Sequence, residues 1–296
     1  MNVTRRAALA SFACALSRAT GRLPANRSVR WALGANLWNY FPRVPFTDIL
    51  DVMRDTGFIG IRLTQFPKIL TTYDITQSQM EKEVAKRNLH VITISFNAPA
   101  HDAARRAQVM ADARTAMNFL RAFGADRLVV FSPSRSVGVS DEHFRTMCEC
   151  YNQLGEVTGE MGFRAGLHNH MGQLVQTEEE VDRCMAMTDP KRFSFSPDTA
   201  HLYLAGIDPV KCIGKHKNRL MLLDYKDARR ISEKLQDNIF DLGDGAIDFP
   251  GCHRILKSID YRGWICVDLD TARRGPRASY ERCGAYVVEK LEPIYV

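Results

Sequence analysis

Residues 163–198 read FRAGLHNHMGQLVQTEEEVDRCMAMTDPKRFSFSPD, and the fold turns on how this stretch divides. Phe163–His170 is a short run that begins apolar and ends polar, and Arg192–Pro197 is a second of the same kind. Between them, Thr177-Glu-Glu-Glu sets an N-cap residue ahead of an acidic first turn, and the helical segment it opens extends to Met187. Strand, helix and strand in that order make a βαβ unit, whose two strands lie parallel with the helix covering one face.

The unit recurs in both directions. Further strand candidates are Trp31–Leu37, Gly57–Thr64, His90–Phe96, Arg127–Ser132, Arg219–Lys226 and Gly263–Leu269. Helical segments at Phe46–Arg54, Ser78–Arg87, Ala103–Phe123, Asp141–Met161, Pro209–His216, Phe249–Ile259 and Ser279–Glu289 alternate with them. Ser140 stands where an N-cap is expected, and Gly124 and Gly162 where helices end. No Pro/Gly/Ser-rich linker divides the series. Eight alternations predict an α/β chain folded as a single (β/α)8 TIM barrel over residues 31–296, since closing a parallel sheet leaves no unpaired edge. An open doubly wound sheet carries a glycine-rich phosphate turn after its first strand, and Gly34-Ala-Asn-Leu-Trp is not one.

Residues 1–30 form a basic leader with six arginines and no acidic residue. Thr4-Arg5-Arg6, the apolar run Ala7–Leu16 and small residues after it resemble a twin-arginine signal, so a periplasmic or exported location is expected, and a cytoplasmic one otherwise. The leader holds all of the net charge of +6; the rest of the chain has 34 residues of each sign. A formally neutral body offers no footprint for a phosphate backbone, which argues against nucleic-acid binding. No run approaches the roughly 18 apolar residues that cross a bilayer, so no membrane partner is expected. Cys14 lies in the leader, and the other seven cysteines show no Cys-x2-Cys spacing, as fits buried thiols.

Barrel chemistry sits where strands end, so polar residues there are the ones to weigh. Strand 5 ends in His168 and His170, two residues apart and on one face. Strand 6 runs into Asp198 and then His201; strand 7 places Asp224 and Lys226 on one face and Asp227 on the other. Strand 8 puts Asp268 in phase with Cys266 and Asp270. Each group also has an ordinary reading: a satisfied core histidine, a turn-capping aspartate, an Asp224–Lys226 ion pair. Three aspartates at one rim repel unless a cation lies among them. Asp198, Asp224 and Asp268 are therefore the expected ligands of a divalent metal. Oxygen donors favour Mn2+ or Mg2+, and an imidazole such as that of His170 extends the range to Co2+ or Zn2+.

The motifs His168-Asn-His170-Met-Gly-Gln-Leu-Val-Gln-Thr, Asp198-Thr-Ala-His201, Lys226-Asp227, Leu242-Gly-Asp244-Gly-Ala-Ile-Asp248-Phe-Pro and Tyr261-Arg-Gly-Trp264 resemble those of the inosose dehydratases. They run in that family's order over residues 160–270, within the wider group of xylose-isomerase-like sugar phosphate isomerases and epimerases. The resemblance implies a metal held by Glu, Asp, His and Glu at the ends of strands 4, 6, 7 and 8. Only Asp198 keeps its type. Asp224 stands in place of the histidine, Asp268 in place of the last glutamate, and Phe131 or Ser132 where the first glutamate falls. Arg62 lies where related proteins often carry a glutamate.

The implied substrate is a small polyhydroxy carbonyl compound, and the implied reaction is α-proton abstraction to a metal-stabilised enediolate, leading to isomerisation, epimerisation or dehydration. His170, His168 and Asp268 are candidate bases, Lys226 would stabilise the enediolate, and His201 would assist the leaving hydroxyl. Asn36 and Trp38, after strand 1, are expected to orient the substrate. The resemblance also implies a homo-oligomer. The rival is a non-catalytic sugar-binding barrel, which the missing glutamate favours; an endonuclease IV-type phosphodiesterase needs many more histidines and a basic face.

Overall fold

The computed structural model describes residues 29–36 and 44–295. Eight parallel strands follow the expected order: β1 (Arg30–Gly34), β2 (Gly60–Leu63), β3 (His90–Asn97), β4 (Arg127–Phe131), β5 (Arg164–His168), β6 (Phe193–Phe195), β7 (Leu222–Tyr225) and β8 (Trp264–Val267). Each of β1 to β5 ladders to the next, β1 pairs with β8, and β8 with β7. β6 and β7 meet through two isolated parallel bridges, Phe195–Leu220 and Asp198–Asp224, and these close the barrel.

The main helices are α1 (Phe46–Thr56), α2 (Gln77–Lys86), α3 (Arg106–Arg121), α4 (Asp141–Glu160), α5 (Glu178–Met187), α6 (Pro209–Lys215), α7 (Phe249–Ser258) and α8 (Pro276–Tyr286). The Thr177 cap is a full capping box: its hydroxyl accepts from the Glu180 amide and the Glu180 carboxylate accepts in return. Ser140 caps the amide of His143. Gly124 and Gly162 both take the left-handed conformation at helix ends, with φ of 69° and 79°. The last helix starts three residues earlier than the sequence suggests, at Pro276, whose missing N–H costs nothing in a first turn.

Two apolar layers follow from strand alternation. Ala32, Ile92, Val129, Leu222, Trp264 and Cys266 pack together as a small inner core. Their alternate neighbours, such as Leu33, Val91, Val130, Leu223, Ile265 and Val267, join the large layer beneath the helices. This inner core fixes what lies above it. Asp224 is two residues beyond Leu222, Asp268 two beyond Cys266, and Arg62 two beyond Gly60, so each continues an inward row towards the C-terminal mouth.

Every strand except β3 ends earlier than expected. β6 stops at Phe195, because Pro197 cannot donate to a ladder. Leu37 and Trp38 lie outside the described residues, as does the leader up to residue 28; β1 begins at Arg30. The seven described cysteines are all buried and unbridged. Among the described residues no helix is long and apolar enough to cross a membrane.

Candidate active site

The polar ends of the strands meet in a cavity of about 140 Å3 at the C-terminal mouth. Asn36, Arg62, Ser95, Phe131, His168, His170, Lys226, Asp268 and Asp270 all line it, so contributions come from both halves of the chain.

Asp198 has two tasks, one per oxygen. Its Oδ1 accepts from the amides of Ala200 and His201, at 3.0 and 3.1 Å, and so caps the short helix Thr199–Leu204. Its Oδ2 is buried without a hydrogen-bond partner and lies 3.1 Å from the Lys226 ammonium. Neither oxygen of Asp224 accepts a well-aligned hydrogen bond, although His168 Nδ1 lies 2.9 Å from Oδ2. Burial pushes both carboxyls up to about 6 against the pull of the nearby cations.

His168, Asp198 and Asp224 each offer one donor atom, all within 4.8 Å of one another. Orphaned donors at that spacing, completely buried, are what a small cation would satisfy. The charge count agrees. Asp198, Asp224, Asp268 and Asp270 face only Arg62 and Lys226, leaving two surplus negative charges among these described residues. A divalent ion fits this donor set, with an imidazole replacing one of the three expected carboxylates.

Asp268 stands apart from that group. Its Oδ2 takes Arg62 Nη2 at 2.7 Å and Lys226 Nζ at 2.8 Å. Burial opposes its charge, but the two cations outweigh that and hold its pKa far below the usual carboxylate range. Lys226 also bridges to Asp270, at 3.1 and 3.2 Å. Burial lowers its pKa, yet the carboxylates of Asp198, Asp268 and Asp270 more than reverse this and keep the ammonium charged.

All three mouth histidines have lowered pKa values, with burial the leading cause, so they are neutral at pH 7. In His170 the tautomer is fixed. Nδ1 lies 2.6 Å from the Met171 carbonyl, which can only accept, so Nδ1 carries the proton and Nε2 is left as a base. Its ring packs on that of His201, with centroids 3.7 Å apart. His201 Nε2 in turn lies 3.5 Å from Lys226 Nζ.

Of the residues singled out from sequence, His168, His170, Asp198, His201, Asp224, Lys226 and Asp268 converge here. Asn36 also reaches the mouth, where its amide donates to Asp270 Oδ1. Asp227 faces away: its carboxylate accepts from the amides of Ala228, Gly243, Gly245 and Ile247 and pins the loop after β7. Sequence reasoning gave no role to Asp270, although its phase with Asp268 was a usable signal. Ser95, on β3, and Gln65, just after β2, left no comparable sign. Strand 4 supplies a ring instead of a ligand, since Phe131 packs against His168 with centroids 4.2 Å apart.

Several known proteins resemble this chain in sequence or in fold. Residues 48–284 match the sequence profile of a family described as xylose isomerase-like TIM barrel. An inosose dehydratase of Bacillus velezensis is 33% identical over 220 residues, spanning 65% of this chain and 73% of that protein. A sugar phosphate isomerase/epimerase of Parabacteroides distasonis superposes with a TM-score of 0.73 at 18% identity, covering 93% of this chain and 98% of its own. The IOLI protein, crystallised with a zinc atom, superposes at 0.69 with 12% identity, covering 90% and 96%.

Proposed function

The chain belongs to the xylose isomerase-like TIM barrel family, and from that premise we propose that it is a divalent-metal-dependent isomerase, epimerase or dehydratase of a small polyhydroxy ketone. The similarity to an inosose dehydratase favours dehydration of an inosose-like ring. The observation that carries the reading is the group of buried, unsatisfied donors on His168, Asp198 and Asp224, set beside a neutral His170.

His168, Asp198 and Asp224 would hold the cation, whose charge would draw electrons from the substrate carbonyl and acidify the adjacent C–H. The donor set admits Mn2+ or Mg2+ through its oxygens and Co2+ or Zn2+ through its imidazole. His170 Nε2 is the base that takes the α-proton, because its Nδ1 is already committed to Met171. Asp268 is a poorer base, being paired with two cations that keep its proton affinity low. Lys226 supplies fixed positive charge beside the developing enediolate. Protonated His170 then returns its proton, either to carbon, giving an isomer or epimer, or to a β-hydroxyl that departs as water. His201, packed at a tilt against His170 and bonded to Lys226, holds that imidazole in place and assists the transfer. Asn36, anchored on Asp270, orients the substrate.

A second reading has one observation in its favour: with Phe131 at the strand-4 position, the barrel could bind a sugar without turning it over. One experiment separates the two. Protein loaded with Mn2+ is incubated in D2O with 2-keto-myo-inositol and with ketohexoses, and deuterium at the α-carbon is followed by NMR. Incorporation is expected with the inosose; binding without incorporation by any of them would sink the enzyme reading.

A further inference from the structure

Arg62 is a charged group of the mouth to which the chemistry above gives no role. It projects inward from β2, is 2% exposed, and its guanidinium cannot shed its proton. Nη2 lies 2.7 Å from Asp268 Oδ2, and Nη1 lies 3.5 Å from Asp224 Oδ2 and 3.4 Å from Ser95 Oγ. Nε is buried without a partner. A guanidinium buried with part of its donor capacity unused is held there by charge and not by a complete hydrogen-bond set.

The position of this charge matters because Asp224 has two claimants. One is Arg62; the other is the cation that His168, Asp198 and Asp224 would bind. Two positive charges drawn to one carboxylate repel each other, and in a buried site that repulsion is only weakly screened. We propose that Arg62 is a resident counter-cation that weakens divalent-metal binding at His168, Asp198 and Asp224 and holds the carboxylates together when no metal is present. Arg62 is a positioning residue here, and the proposal rests on the reading of those three residues as ligands. Its consequence is a metal that exchanges readily instead of one held permanently.

The test is calorimetric titration of chelator-treated protein with Mn2+ alone, comparing wild type, Arg62→Met and Arg62→Lys. Arg62→Met should bind Mn2+ at least about tenfold more tightly. Its metal-free Tm should fall, and Mn2+ should raise that Tm by more than it raises the wild-type value. Arg62→Lys, with a charge that stops short of Asp224, should lie between. Equal or weaker binding by Arg62→Met overturns the role of Arg62 and leaves the metal reading standing. Binding by neither protein overturns both. Should Arg62→Met fail to fold even with Mn2+ present, Arg62→Lys decides, and affinity no tighter than wild type overturns the proposal.

Discussion

The backbone of Gly34 runs so close to Asp268 that a β-carbon on Gly34 would lie 1.9 Å from the carboxylate Oδ1. A side chain at the end of β1 therefore displaces the acid that Arg62 and Lys226 share. Gly34→Ala should cost about 1–3 kcal/mol in urea unfolding, as overpacking commonly does. It should also lower deuterium exchange, although residue 34 does not line the cavity. Unchanged stability would show that Asp268 has room to move aside.

Asp198 caps with one oxygen and faces the Lys226 ammonium with the other. Asp198→Asn keeps an acceptor for the Ala200 and His201 amides while removing the charge. Its stability should stay within about 0.5 kcal/mol of wild type, and its Mn2+ affinity should fall by more than about tenfold. Asp198→Ala should lose roughly another 1 kcal/mol through the missing cap. Calorimetry and thermal unfolding on the pair read the two roles separately.

His170→Gln retains a polar side chain but no base. Deuterium incorporation should drop by about 10^2–10^4, the usual worth of a positioned general base, while Mn2+ binding persists. Retained exchange would move the role of base to His168 or to another residue of the mouth.

These expectations also mark what the sequence could convey. Strand and helix order was legible because alternation and caps are local, as Thr177 and Ser140 show. Asp198 and Asp224 were legible because each follows a short apolar strand at a known rim. The partners of Asp268 were not, since the guanidinium of Arg62 reaches over β1 from a strand some two hundred residues away in sequence. Periodicity places a side chain on a face, but it does not give the reach of an arginine. The tautomer of His170 was hidden for a similar reason, because it depends on where the Met171 carbonyl turns.

His253 offers a test of stability away from the mouth. Its ring stacks on Trp31, Nε2 is buried without a partner, and burial lowers its pKa to about 3. The unfolded chain, with a histidine near its ordinary value of about 6.5, binds a proton that the folded protein refuses between these limits. The contribution is complete above about pH 6.5 and is lost as pH falls towards 3, by up to about 1.4 kcal/mol per pH unit. Between pH 7 and pH 5, wild type should lose about 2 kcal/mol more than His253→Phe in urea titrations. Parallel losses would mean that His253 does not resist protonation.

The bridge between Asp198 and Asp224 is also the seam of the barrel. Every other neighbouring pair of barrel strands is joined by a ladder, whereas β6 and β7 meet at two isolated points, and one of them joins two of the three proposed ligands. The fastening that completes the circle is thus the same contact that sets the spacing of two of the proposed ligands. Warming should unbutton this seam before the rest of the sheet gives way. Activity would then fade reversibly at temperatures where the far-ultraviolet circular dichroism is still that of the native protein, and a bound cation would act as a rivet that raises both temperatures and narrows the gap between them.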